Sequence, residues 1–189
     1  MKSYKALKQQ QFTSGEYSIV PIRSEDRYDI MEWRNEQMYH LRQKEALTKE
    51  NQDFYFDSVV ESLFEQNKPS QILFSYLEGE KCIGYGGLVH INWTDKNAEI
   101  SFIMNTDLEK ENFEFHWTNF LNLLEYVAWK ELNLHKVYTY AYDLRPHIYM
   151  ILEKLEFKLE ARLKNHLLLE EGNYCDILIH AKFNYDENL

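Results

Sequence analysis

The apolar positions of this chain fall into short alternating runs broken by helical stripes. YSIVPIR (17–23) alternates and is β-branched, which predicts a first strand, with Pro21 marking an edge or an irregularity. SEDRYDIMEWRNE follows as a helix: Ser24 suits the cap, acids fill the first turn, and Ile30, Met31 and Trp33 form an apolar face. A second helix is predicted from about Thr48 to Gln66. There Thr48, Asn51 and Gln52 approximate a capping box, and Phe56, Val59, Val60, Leu63 and Phe64 recur at helical spacing.

QILFSYLEGEKCIGYGGLVHINW (71–93) reads as two strands joined at Leu77–Lys81, where Gly79 supplies the positive φ of a tight turn. TDKN turns the chain into AEISFIM (98–104), the third strand of an antiparallel meander. A long helix is predicted from near Lys110 to Asn133, with Phe113, Trp117, Phe120, Leu121, Leu124 and Ala128 on one stripe. KVYTYAY (136–142) is a further strand, PHIYMILEKLE (146–156) a short helix opened by Pro146, and the rest a closing hairpin turned at EEGN. One helix separates AEISFIM from KVYTYAY, so those two strands can run parallel. The expected fold class is α/β of the α+β kind: a twisted, mostly antiparallel central sheet with one parallel crossover, flanked by helices. It spans residues 17–184 as one domain behind a polar N-terminal tail, 1–16.

Composition narrows the function classes. The 189 residues, 44% hydrophobic and 15% aromatic, suffice for one sizeable core. With 21 basic and 31 acidic side chains the formal net charge is -10, an unfavourable field for nucleic acid. Cys82 and Cys175 sit singly in strand-like runs, as reduced, buried thiols of a cytoplasmic protein do. No apolar run approaches the roughly 20 residues that span a bilayer, so no membrane association is expected. His40, His116, His135, His147 and His180 show no HxH or HExxH spacing, and no metal is expected. Neither a GxSxG element nor a Walker loop is present.

Three phrases in this order resemble the GCN5-related N-acetyltransferase (GNAT) superfamily: SIVPIRSEDRYDIMEWRNE, KCIGYGGLVHINWTDKNAEISFIMN, and the stretch from LEYVAWKELNLHKVYTYAY to GNYCDI. The closing part, with EKLEF, NH and GNYCD, looks most like the branch containing ribosomal-protein and sugar-nucleotide N-acetyltransferases. The resemblance implies acetyl-coenzyme A as co-substrate and a small-molecule amine as acceptor. It also implies that the pantetheine arm pairs with the strand containing Phe102, Ile103 and Met104. The pyrophosphate is then expected on main-chain N–H groups of Lys110, Glu111, Asn112 and Phe113 at the start of the long helix, where unpaired donors and a partial positive charge favour anions. Arg145 falls where relatives place a cofactor-contacting asparagine. The family's Q/R-x-x-G-x-G/A turn is replaced by LEKENFEFHW, and the chain has no glycine between Gly87 and Gly172.

For the chemistry, Glu99 falls where relatives carry a carboxylate base, and His90 is the second candidate because imidazole titrates near neutrality. Relatives place the tyrosine that protonates the thiolate at Leu152, so Tyr149, about one helical turn earlier, becomes the candidate acid. On the acceptor side the resemblance points to Trp33, Arg34 and Asn35, and in the hairpin to His166 and Tyr174, with Asp176 beside them. Arg34 suits a carboxylate or phosphate through its planar fork. Exposed aromatics, Trp93 and Tyr185 among them, permit a homodimer without requiring one. Two readings stay open: an N-acetyltransferase with a divergent cofactor loop, and a binding or assembly protein that keeps the fold without the coenzyme A site.

Overall fold

The computed structural model describes residues 2–169 and 172–185. Eight strands form one sheet in the order β1-β2-β3-β4-β5-β6-β8-β7. They are β1 (Phe12–Ser14), β2 (Tyr17–Pro21), β3 (Ile72–Glu78), β4 (Lys81–Asn92), β5 (Asn97–Met104), β6 (Lys136–Tyr142), β7 (Lys158–Leu168) and β8 (Tyr174–Phe183). Every neighbouring pair is antiparallel except β5 with β6. This is the mixed sheet with one parallel crossover that the patterning predicts. Glu170 and Glu171 of the expected EEGN turn lie outside the described residues. Among the described residues no helix is long and apolar enough to cross a membrane.

The N-terminal segment is not a polar tail. Tyr4, Leu7 and Phe12 are buried in the core, and β1 extends the sheet by pairing Phe12 with Ile19. The Tyr4 hydroxyl both donates to the Leu73 carbonyl and accepts from the Leu73 N–H, each at 3.0 Å. A single aromatic side chain thereby ties the start of the chain to the backbone of β3.

The first helix begins later than Ser24 suggests. Ser24–Asp26 is a single 3-10 turn, and α1 runs over Arg27–Glu36. Asp26 caps nothing: its carboxylate accepts from Arg23 Nε and Nη2 at 2.7 and 2.6 Å and from Ser75 Oγ at 2.6 Å, fastening the turn to β3. Beside it, burial and then the Asp26 charge push the Cys82 thiol up to about 12, which leaves it unreactive. α2 (Lys49–Phe54) opens with a full Thr48–Asn51 capping box and continues through a π segment, Tyr55–Val60, into α3 (Glu61–Phe64).

α4 (Thr106–Tyr126) starts a full turn before Lys110 because Asn105 caps it, its Oδ1 accepting from the N–H groups of Asp107 and Leu108 at 3.0 and 3.2 Å. Its backbone leaves helical geometry once, at Asn112 (φ −133°, ψ 33°). Beyond that kink the predicted stripe packs on the sheet. Phe120 stacks on Phe102 at 3.9 Å, over Gly86, where a Cβ would lie 2.1 Å from the Ser101 carbonyl oxygen and 3.0 Å from Phe120 itself. Only glycine allows that approach of helix to strand. α5 (His147–Lys154) then buries Ile148, Ile151 and Leu152, and its N-cap is Pro146.

Candidate active site

The sheet parts at its parallel pair. β5 and β6 are in register only from Asn97↔Lys136 to Glu99↔Tyr138. Past Glu99 a cleft of about 400 Å³ opens, walled by the loop after α1, by β4, β5 and β6, and by α4 and the start of α5.

Glu99 is the single carboxylate among the residues lining this cleft, and it is 5% exposed. Strand alternation sends it to the α1 side, opposite to Phe102, which meets α4. Its Oε1 pairs with the Arg42 guanidinium, and its Oε2 lies 2.9 Å from His90 Nδ1. His90 reaches it because β4 bulges there. Val89 faces Glu99 and Asn92 faces Asn97, so His90 and Ile91 together oppose Ala98, and His90 takes φ +50°. Arg42 also lies over the Tyr140 ring at 4.7 Å, so one side chain spans from β5 to β6.

Of the Trp33–Arg34–Asn35 triplet only Arg34 lines the cleft. Trp33 is core. Asn35 holds the following loop, accepting from Gln43 Nε2 and Leu47 N and donating to the Leu47 carbonyl, all at 2.8–2.9 Å. Arg34 donates through Nε to Gln43 Oε1 at 2.9 Å and through Nη1 to Tyr85 Oη at 2.6 Å.

At the α4 end, Arg145 closes the cleft. Its Nη1 lies 2.8 Å from Glu109 Oε1 and 2.9 Å from His40 Nε2, and its guanidinium stacks 5.5 and 5.6 Å from the Phe113 and Trp117 rings. Burial, then the Arg145 charge, hold the His40 imidazole down at about 3, so it is neutral and accepts from Arg145. Burial raises the Glu109 carboxyl while Arg145 pulls against it. Phe113 packs on Trp117 and on His147 at 5.6 and 4.3 Å.

The residues expected at the cofactor site are divided between α4 and the cleft. The first turn of α4 is capped by the Asn105 side chain, and Lys110 and Glu111 end the segment before the kink at Asn112, with Phe113 opening the segment beyond it. Lys110, Glu111 and Asn112 are exposed, and the open groove that Glu111 and Asn112 line also carries Glu114, a charge that opposes phosphate. Phe102 and Ile103 line the cleft, and the free edge of β5 fits an amide-bearing chain because β6 makes no pair with it past Glu99. The Met104 carbonyl accepts from Gln37 Nε2 at 2.8 Å, while the buried Gln37 Oε1 has no donor among the described residues.

Tyr149 does not meet the cleft. Its hydroxyl donates to Asp143 Oδ1 at 2.9 Å, its ring stacks on His180 at 5.1 Å, and burial raises its phenol, so it is tied to the hairpin side. His166 and Tyr174 are exposed on the hairpin and are not among the cleft residues, and Asp176 fixes β7 by accepting from Arg162 Nε and Asn165 N. Arg42, His40, Gln37, Tyr85 and Glu109 are the neighbours that sequence reasoning missed. The one available signal was HLRQ, residues 40–43, in the loop between the first two helices.

A sheet parted at its single parallel pair beneath a long helix is the GNAT arrangement. The chain belongs to that family: the model of the acetyltransferase (GNAT) domain matches residues 19–179. Among solved structures, spermidine N-acetyltransferase from Vibrio cholerae in complex with CoA and spermine superposes with a TM-score of 0.78 at 17% identity, over 90% of this chain and 96% of that one. The dodecameric form of the Vibrio cholerae enzyme in an intermediate state gives 0.73 at 17% identity, over 90% and 95%. A structure described as a putative acetyltransferase gives 0.70 at 16% identity, over 93% and 87%.

Proposed function

We propose that the protein transfers an acetyl group from acetyl-CoA to a primary amine of a small molecule. The observation that carries this reading is Glu99: a buried carboxylate at the point where β5 and β6 part, held by His90 on one oxygen and Arg42 on the other. A carboxylate fixed at a cleft wall is suited to take the proton that an attacking amine sheds, directly or through one water. Acetyl-CoA supplies the acyl carbon as a thioester. Phe102, Ile103 and the Met104–Gln37 edge would hold its amide chain, and Arg145 is the cation nearest the end of the cleft. His90 keeps the Glu99 carboxylate oriented, and the cleft walls hold amine and acyl carbon together, which supplies much of the rate. Nitrogen gains the acyl group and loses one proton to Glu99; the thiol leaves with one proton, so Glu99 is regenerated. Leu152, fully buried, takes no part, and Tyr149 is turned away.

The neighbour solved with CoA and spermine supports CoA as donor. A polyamine acceptor fits less well, because Arg34 lines this cleft with no acid within ion-pair distance among the described residues. An amino-sugar nucleotide, suggested by the closing phrases of the sequence, suits it better. One observation favours the rival reading of a binding or assembly protein: Arg145, Glu109 and Phe113 fill the end of the cleft where relatives seat the pyrophosphate. Acetyl-CoA distinguishes the two. A rise in melting temperature with millimolar acetyl-CoA, followed by acetylation of an amine panel, supports the enzyme; no shift and no turnover leaves the binding protein. The dodecameric neighbour makes self-association worth measuring, and sedimentation of this chain tests the proposed homodimer.

A further inference from the structure

We infer that Arg34 forms an oxyanion subsite in the cleft, so that the amine this protein accepts carries a phosphate or carboxylate group. The word acceptor rests on the transfer reading above; the subsite itself does not.

The chain has six arginines, and five of them meet a carboxylate: Arg23 with Asp26, Arg27 with Asp53, Arg42 with Glu99, Arg145 with Glu109 and Arg162 with Asp176. Arg34 alone has no acid within ion-pair distance among the described residues, in a protein whose acids outnumber its bases 31 to 21. It is half-buried, and it faces the cleft. Taking a guanidinium partly out of water without a counter-ion is unfavourable, and the two neutral oxygens that hold it, Gln43 Oε1 and Tyr85 Oη, do not offset its charge.

Those two bonds also orient it. Nε and one hydrogen of Nη1 are occupied, which leaves Nη2 and the other Nη1 hydrogen without an acceptor among the described residues. That is the end-on half of the fork, the geometry that takes two oxygens of a phosphate or carboxylate at once. Gln43 is itself fixed through Asn35, so the fork is set in advance. Glu99 and His90 line the same cleft, so an acceptor anchored by its oxyanion at Arg34 can turn its amine toward the proposed base. Asn35 thereby gains a part in the site as a positioning residue, although its own side chain faces the loop.

Calorimetric titration tests the subsite without requiring turnover. The probes are two matched pairs, glucosamine 6-phosphate against glucosamine and L-lysine against cadaverine, with spermidine as a cationic control. The wild-type protein is expected to bind at least one anion-bearing member about 10-fold or more tightly than its twin, and the responding pair identifies the oxyanion. In Arg34→Met the two members of that pair are expected to converge. Arg34→Lys, which keeps the charge and loses the fork, is expected to fall between and serves if the methionine variant does not fold. The subsite is overturned if neither pair shows a preference, if spermidine binds best, or if the preference survives in a folded Arg34 variant. Discrimination without any acetylation would remove the transferase reading and leave the subsite. Acetylation without discrimination would do the reverse.

Discussion

His90 Nδ1 lies 2.9 Å from Glu99 Oε2, across a bulge that gives a strand histidine a left-handed backbone. The bulge is what brings an imidazole from β4 onto a carboxylate of β5, and it places both at the mouth of the parted strands. If Glu99 is the base, Glu99→Gln lowers kcat by about 100-fold or more, the usual worth of a positioned proton acceptor, with acetyl-CoA affinity nearly unchanged. Initial rates paired with calorimetric titration check this, and full turnover in the variant removes Glu99 from the mechanism.

Arg145 and Glu109 form an ion pair whose side chains are 9% and 13% exposed. Removing one partner strands the other charge. Arg145→Met should destabilise the protein by about 3–5 kcal/mol, whereas Arg145→Met combined with Glu109→Gln should recover a large part of that loss. Chemical denaturation of the two variants measures both. Additive losses in the pair would show that the contact carries no coupling.

Stability should fall as the solution is acidified below the ordinary histidine range. Burial lowers His40, His116, His147 and His180, so each protonates in the unfolded chain before it does in the native one. The unfolded state therefore binds more protons from about pH 6.5 down to the His40 value of about 3, and native stability is lost across that window. Glu109 acts in the opposite sense, since burial raises its carboxyl and the native state takes up that proton first. Urea midpoints at about pH 7.5 and about pH 5 should show the decline. His40→Gln, which keeps an acceptor for Arg145, should flatten it.

Tyr4→Phe removes only the hydroxyl that bonds both backbone groups of Leu73. The expected cost is about 1–3 kcal/mol, from leaving the buried Leu73 N–H unpaired, while the Leu73 carbonyl keeps its bond from the Ile22 N–H. An unchanged denaturation midpoint would mean that the N-terminal segment docks without that tie.

The strands, the meander and the crossover were legible because each is a short apolar run bounded by turn residues; the central β3 and β4 are buried on both faces and read as nearly continuous apolar runs. The N-terminal segment was not, since Tyr4, Leu7 and Phe12 are isolated in a mostly polar stretch and are buried by distant partners. The start of α4 was placed late because its apolar stripe begins at Phe113, while the Asn105 cap sits ahead of a mostly polar turn. The cleft divides in the same way. Glu99 and Arg34 came from a resemblance to known motifs and His90 from the chemistry of imidazole, and the three do share one cavity. Arg42 and Glu109 meet their partners across 57 and 36 positions of sequence, and no local pattern encodes that.

Because β5 and β6 leave each other after three residue pairs, the gap between them is laced by side chains, with Arg42 reaching from Glu99 to Tyr140 and Arg145 from Glu109 to His40. Backbone ladders have a fixed spacing, but laces of charge loosen with ionic strength, the half-exposed Arg42 tie before the buried Arg145 one. Of the ties across the parted strands, the Arg42 one is thus expected to weaken first as salt rises, and rates measured at low and high ionic strength check whether it governs entry to the cleft.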